Sequence, residues 1–137
     1  MRLPILIDTG PLVAIVNPND SAHEQCVKHA AEIPAPPVTT WPVLAEAAYL
    51  LRRDHHSVLQ LLRTIREGCL SVLPLGEEAA HWMEQFFERF GDHEPQFADA
   101  SLLYLAERLG AETVFTLDRR DFSIYRLSDN RALQIIP

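Results

Sequence analysis

The chain has few of the residues that several common functional sites require. It has two cysteines, Cys26 and Cys69, which are too few for a disulfide framework and lack metal-ligand spacing. Its five glycines form neither the G-x-G-x-x-G turn of a dinucleotide-binding fold nor the G-K-[ST] of a phosphate-binding loop. A phosphorylation receiver needs paired acids after its first strand and a lysine near its last, and the one lysine here is Lys28. Each of these classes is therefore excluded.

Long apolar runs are also missing. No stretch approaches the roughly 18 apolar residues of a membrane span. The apolar run near the start is short and is stopped by Asp8, so we expect no signal peptide. The two cysteines fit a reducing compartment. Together these features predict a cytoplasmic protein without a membrane partner.

What is present is an ordinary globular composition. Hydrophobic residues make up 47% and charged residues 23% of 137 residues, which excludes disorder. This length is typical of one domain, and no linker or internal repeat divides it. We therefore expect a single domain over residues 1–137.

The net charge of −7 argues at first against a nucleic-acid partner, because phosphate binding requires a basic footprint. The acidity is local, however. Residues 77–112 contain nine acids and two bases and so carry the full −7, whereas the remaining residues contain ten of each. Eleven of the 12 bases are arginine, which suits phosphate binding. The charge thus predicts weak RNA affinity without metal and an acidic face for a basic partner.

Short apolar segments alternate with helical periodicity along the chain. This order predicts an α/β fold with an open, mainly parallel sheet and helices on both faces. Such sheets bind ligands at the carboxyl ends of their strands, near the point where the strand order reverses. We predict strands at 3–8, 38–40, 70–75, 113–117 and 133–136, and helices from 11, at 21–33, 42–53, 55–67, 77–89 and 98–109.

Helix-start signals accompany two of these segments. Pro11 suits a first helical position and makes Gly10 the expected N-cap, which leaves Asp8 two residues too early to cap. Ser21, with Glu24 three residues later, has the pattern of a capping box.

Three aspartates occupy positions where such a fold collects ligands. Asp8 and Asp118 end the first and fourth strands, and Asp99 begins the helix that leads into the fourth. Each also has a purely structural interpretation: Asp8 as a helix cap, Asp99 as a first-turn acid that favours the helix dipole, and Asp118 as a turn residue.

Glu46 is the most informative acid. Its helical neighbours three and four positions away are all uncharged: Pro42, Val43, Tyr49 and Leu50. A buried carboxylate without a partner costs several kcal/mol, so Glu46 requires a metal or a basic group from elsewhere in the fold. If the four acids converge, their mutual repulsion also requires a cation, and all-oxygen ligation favours Mg²⁺ or Mn²⁺. Such an ion at a strand-end crevice is typical of phosphoryl transfer.

Four segments carry a family resemblance. They resemble, in order and spacing, the motifs of a small bacterial PIN domain of the VapC toxin type. The segments are LIDTGPLVA (6–14), TTWPVLAEAAYLL (39–51), FADASL (97–102) and FTLDRRDF (115–122).

The resemblance implies a Mg²⁺- or Mn²⁺-dependent endoribonuclease that hydrolyses RNA phosphodiester bonds, with one or two ions at an acidic site at the carboxyl ends of the strands. It implies a toxin of a type II toxin–antitoxin system, with a small antitoxin partner and a homodimer; a PIN ribonuclease of RNA processing or decay is the alternative. The implied catalytic residues and metal ligands are Asp8, Glu46, Asp99 and Asp118.

Further residues are accessory candidates. Thr9 and Thr116 are expected to hydrogen-bond the acids. Arg119 and Arg120 are placed either to meet phosphates or to be exposed turn residues. The chain departs from related sequences at Gln96, where an acid is frequent, and Asp92 is the alternative acid in the same loop.

Two other sets have open interpretations. His93 is the one histidine in the loop beside the expected site. The aromatic set is expected to lie in the core, with a share in a dimer contact as the alternative; it comprises Trp82, Phe86, Phe87 and Phe90.

Overall fold

A computed structural model describes residues 2–137 and shows a sheet of five short strands. The strands are β1 (Ile5–Ile7), β2 (Val38–Thr39), β3 (Ser71–Val72), β4 (Thr113–Phe115) and β5 (Gln134–Ile136). The helices are α1 (Thr9–Val16), α2 (His23–Glu32), α3 (Trp41–Leu50), α4 (His55–Arg66), α5 (Ala79–Phe90), α6 (Phe97–Leu109) and α7 (Arg119–Ile124), with a 3-10 turn at Gly91–His93.

The strand order is β3-β2-β1-β4-β5, and all four pairings within residues 2–137 are parallel. Leu6 at the centre of β1 pairs with Val38 on one side and Val114 on the other. The chain moves outward from β1 in one direction and later in the other, so right-handed crossovers place helices on both faces. The predicted open parallel α/β fold is confirmed, and its switch point lies between β1 and β4.

Helix α6 lies at the centre of the core. Residues 100–106 are all buried, as expected for a helix covered by neighbours, and the helix packs against α3 and α5. Gly110 ends it in the left-handed conformation (φ 68°), which a residue without a Cβ adopts at little cost. The end predicted at Leu109 is confirmed.

The aromatic residues of α5 belong mainly to this core. Phe86 and Phe90 are buried and pack against Tyr125, and Trp82 stacks on Phe86. Phe87 is half-buried and contacts the ring of Phe97. The core interpretation is therefore confirmed for Phe86 and Phe90, whereas Trp82 and Phe87 are partly buried against the core.

Helix α7 is not predicted from the sequence, because its six residues are too few to show periodicity. Two local predictions are wrong. Asp8, not Gly10, occupies the N-cap of α1, since Pro11 is tolerated anywhere in a first turn whose N–H groups have no helical partner. Ser21 does not form a capping box: α2 begins at His23, and Asp20 accepts the hydrogen bond from the Ala22 N–H instead.

No helix in the described part of the chain is long and apolar enough to cross a membrane.

Candidate active site

Asp8 and Thr116 meet at the switch point, where β1 and β4 end side by side. The Thr116 hydroxyl donates to Asp8 Oδ2 at 2.8 Å, and the Asp118 N–H donates to the same hydroxyl oxygen at 3.0 Å. Asp8 is only 7% exposed. Asp8 is the N-cap residue of α1, but its side chain makes no capping hydrogen bond and accepts from Thr116 instead. One hydroxyl thus ties the ends of the two strands together.

Glu46 reaches the same region from α3. The Thr9 hydroxyl donates to Glu46 Oε2 at 2.8 Å. Helix α3 is fixed against α6 by a hydroxyl contact between Thr40 and Ser101, whose oxygens lie 2.7 Å apart. The expected hydrogen bonds of Thr9 and Thr116 to the acids are both present, and the uncharged partner of Glu46 is a threonine.

Asp99 is held by two donors that share one of its oxygens. Asp99 Oδ2 accepts from the Gln96 N–H at 3.3 Å and from the Tyr125 hydroxyl at 3.0 Å. Tyr125 is 1% exposed, so its hydroxyl reaches Asp99 from within the core. Sequence reasoning missed Tyr125, because a lone tyrosine 26 residues from its partner carries no local signal.

Asp118 lies at the exposed edge of the site as the N-cap of α7. Its Oδ1 accepts from the Asp121 N–H at 3.0 Å. Asp121, which was not singled out in the sequence, follows one turn later, and burial together with Asp118 raises its pKa. An acid three residues after a strand-end aspartate is the signal that could have identified it.

All four predicted acids line one open cavity of about 450 Å³. Glu94 and Asp121 also line it, whereas none of its described lining residues is a lysine, arginine or histidine. Glu94, with a left-handed backbone (φ 50°), takes the position in the lining that was suggested for Asp92.

The other accessory candidates lie outside this lining. Asp92, His93, Arg119 and Arg120 are exposed and are not among the described residues that form the cavity wall. The Arg119 guanidinium donates to the backbone carbonyl of Pro137. Within residues 2–137, the arginines next to Asp118 therefore contribute nothing to the wall of the cavity.

The acids of the cavity have no basic residue beside them in its described lining, so their negative charges are not offset there. Burial raises the pKa of Asp8 from 3.8 to about 6, and the charges of Asp99 and Glu46 add to this effect. Burial likewise raises the pKa of Asp99, with contributions from Asp121 and Glu46. Hydrogen bonds from Thr116 and Tyr125 oppose these shifts without cancelling them. A bound cation would lower both pKa values.

The donor set fits a hard divalent cation, since it offers carboxylate oxygens and no basic competitor. The side chains nevertheless stand apart: no group of three or more His, Cys, Asp or Glu side chains in residues 2–137 converges to hold an ion. Glu46 is engaged by Thr9, and Asp118 caps α7. The chemistry of the cavity therefore fits the ion, although Glu46 and Asp118 are engaged in hydrogen bonds within the protein.

The fold and this cavity define an α/β protein with an acidic pocket at the switch point of a parallel sheet. The chain belongs to the PIN domain family, whose model matches residues 5–127. It is 29% identical to Ribonuclease VapC26 of Mycobacterium tuberculosis over 138 residues, covering 97% of this chain and all of that protein.

Two solved structures share the fold. The crystal structure of Mycobacterium tuberculosis VapC20, a sarcin-ricin loop cleaving toxin, has a TM-score of 0.73 at 20% identity and covers 80% of this chain and 86% of its own. VapBC2 from Rickettsia felis, bound to a DNA fragment from its promoter, has a TM-score of 0.69 at 14% identity and covers 98% of this chain and 100% of its own. The resemblance to VapC-type PIN proteins is confirmed by these matches.

Proposed function

We propose that this protein is a Mg²⁺- or Mn²⁺-dependent endoribonuclease, formed by one PIN domain over residues 1–137. The observation that carries the proposal is the cavity at the switch point. Six carboxylates line this cavity, and none of the described residues of its wall is basic. The names of two similar proteins, a ribonuclease and a toxin that cleaves the sarcin-ricin loop, support RNA as the substrate.

Asp8, Glu46, Asp99 and Asp118 are the residues that would hold one or two ions. When bound, a divalent ion there supplies a water of lowered pKa and neutralises charge on a phosphodiester. The chain itself orients the acids: Thr116 holds Asp8, Thr9 holds Glu46, and Tyr125 holds Asp99.

The experiment that tests this function is RNA cleavage by the purified protein. Cleavage of single-stranded or structured RNA is expected with millimolar Mg²⁺ or Mn²⁺ and is expected to stop in excess EDTA. The cleaved ends should carry 5′-phosphate and 3′-hydroxyl groups. Metal-independent cleavage, or none with either metal, contradicts the proposal.

We further propose a cytoplasmic toxin that pairs with a small basic antitoxin and forms a homodimer. The VapBC2 structure and the acidity of residues 77–112 support the antitoxin, and the free thiols of Cys26 and Cys69 suit a reducing compartment. Co-purification from the native host tests for the small basic partner. Sedimentation of the isolated chain tests for the homodimer. Recovery without such a partner favours RNA processing or decay, and sedimentation as a monomer contradicts the dimer.

Removal of the Tyr125 hydroxyl is expected to weaken Mn²⁺ binding about tenfold, the scale of losses when a group that orients a ligand is removed. Tyr125→Phe keeps the ring that packs against Phe86 and Phe90 but removes the donor to Asp99. Titration calorimetry with Mn²⁺ measures the change.

Tyr104→Phe is the matched control. Tyr104 is also buried, but its hydroxyl contacts Arg108, and it is not part of the described cavity wall. Mn²⁺ affinity should be unchanged in this variant. Equal affinities for wild type and Tyr125→Phe would show that the tyrosine has only a packing role.

A further inference from the structure

A stacked tyrosine and arginine lie at the end of α3. Tyr49 is 62% exposed, and the Arg52 guanidinium carbon lies 4.0 Å from the centroid of its ring. Arg52 Nη1 also donates to the backbone carbonyl of Tyr49 at 2.8 Å. The arginine is thereby held over one face of the ring, and much of the tyrosine remains open to solvent.

This pair differs from the other two cation–π contacts within residues 2–137. Those contacts place Arg89 over Phe90 and Arg108 over Tyr104, and both rings are buried, at 7% and 6% exposure. Their stacking completes the packing of the core. The Tyr49 ring contributes little to the core, so packing does not account for an aromatic residue there.

The pair is adjacent to the acidic cavity. Glu46 and Leu50 of α3 line that cavity, and Tyr49 follows Glu46 by three residues. Residues three apart lie on the same side of a helix, about 4.5 Å apart along its axis. The Tyr49 ring is therefore within one helical turn of a proposed metal ligand.

Positive charge accompanies the aromatic ring. Arg52 and Arg53 are both exposed, whereas the next residue, Asp54, is engaged as the N-cap of α4 by the N–H and hydroxyl of Ser57. The cavity wall itself is acidic and repels phosphates. Until an ion is bound, attraction for RNA must come from outside the cavity, and Arg52 and Arg53 follow the cavity-lining Leu50 by two and three residues.

We propose that Tyr49 and Arg52 form a binding site for single-stranded RNA, at a nucleotide flanking the phosphate that enters the cavity. The base stacks on the exposed face of Tyr49, and the Arg52 guanidinium meets a backbone phosphate. This inference rests on the proposed ribonuclease function. Stacking of this kind accepts any base, so the site contributes affinity and not sequence preference.

The test is equilibrium binding of a fluorescent oligoribonucleotide in Ca²⁺, with its integrity checked on a denaturing gel, together with kcat and KM for cleavage in Mn²⁺. Tyr49→Ala should weaken binding about tenfold and raise KM with little change in kcat. Tyr49→Phe should bind within about twofold of wild type. Arg52→Gln should reduce the slope of log affinity against log salt by about 0.7.

Trp41→Ala is the matched control, because Trp41 is an exposed aromatic (57%) at the opposite end of the same helix. It should bind RNA as wild type does. If Tyr49→Ala binds RNA as tightly as an active wild type does, this inference is overturned while the proposed function stands. A change in the sedimentation of the same variant would then show that the surface is a protein interface. A wild type that neither binds nor cleaves RNA overturns the proposed function as well.

Discussion

Asp99→Asn is expected to lower the rate of RNA cleavage by about three orders of magnitude, equivalent to about 4 kcal/mol of transition-state stabilisation. Asparagine retains an oxygen that can accept from Gln96 and Tyr125, so the local structure should persist. The substitution removes the negative charge from the cavity, and with it a ligand for the ion. Single-turnover cleavage with saturating Mn²⁺ measures the loss.

Asp129→Asn is the control for this experiment. The Asp129 carboxylate is exposed, pairs with Arg131 at 2.6 Å and is not among the described cavity residues. Its removal should leave cleavage unchanged. Circular dichroism should show the same helix content in both variants. If Asp99→Asn cleaves RNA at the wild-type rate, the acidic cavity is not the site of the reaction.

Asp8→Asn is expected to stabilise the metal-free protein at pH 7.5 by about 2 kcal/mol, which raises Tm by roughly 6 °C. Burial raises the pKa of Asp8 from 3.8 to about 6. At one pKa unit per 1.36 kcal/mol, the full shift corresponds to about 3 kcal/mol, and relaxation around the charge reduces it. Asparagine still accepts from Thr116 but carries no charge that burial penalises.

The same shift determines how stability depends on pH. Between about pH 4 and pH 6 the folded protein retains a proton on Asp8 that the unfolded chain has lost. Unfolding then releases a proton, so the free energy of unfolding of the wild type should fall as pH rises through this window. Urea denaturation in EDTA, repeated across pH, should show a smaller fall for Asp8→Asn.

Asp118→Asn is the control at the exposed edge of the same cavity, because asparagine caps a helix as well as aspartate does. Its metal-free stability should stay close to that of the wild type. Millimolar Mn²⁺ should then raise Tm more for the wild type than for Asp8→Asn, since the ion offsets the buried charge. Equal shifts would contradict a clustered metal site.

Much of this arrangement could be predicted from local patterns. Alternating strands and helices predicted the parallel sheet, and the positions of Asp8 and Asp118 at strand ends predicted that they meet at one edge. The apolar neighbours of Glu46 predicted a buried carboxylate, whereas Glu46 is half-buried, Tyr49 and Leu50 are exposed, and the hydroxyl of Thr9 donates to it. Each inference depends on residues within about one turn or one strand of each other.

The contacts that pattern reasoning missed join distant parts of the chain. Tyr125 lies 26 residues from Asp99, and the sequence around neither residue indicates this contact. Glu94 lines the cavity in place of Asp92 because a 3-10 turn and a left-handed residue direct the loop, and no periodicity encodes that geometry.

The sequence by itself determined the fold class, because strands that alternate with helices pair in parallel. It also determined that Asp8 and Asp118 lie at strand ends. Only the tertiary structure decided which donor holds each acid, because Thr116 and Asp8 are 108 residues apart and Thr9 and Glu46 are 37 apart. It also decided how deeply Asp8 is buried, and hence its raised pKa. Burial is a property of everything packed around a group, so no local segment specifies it.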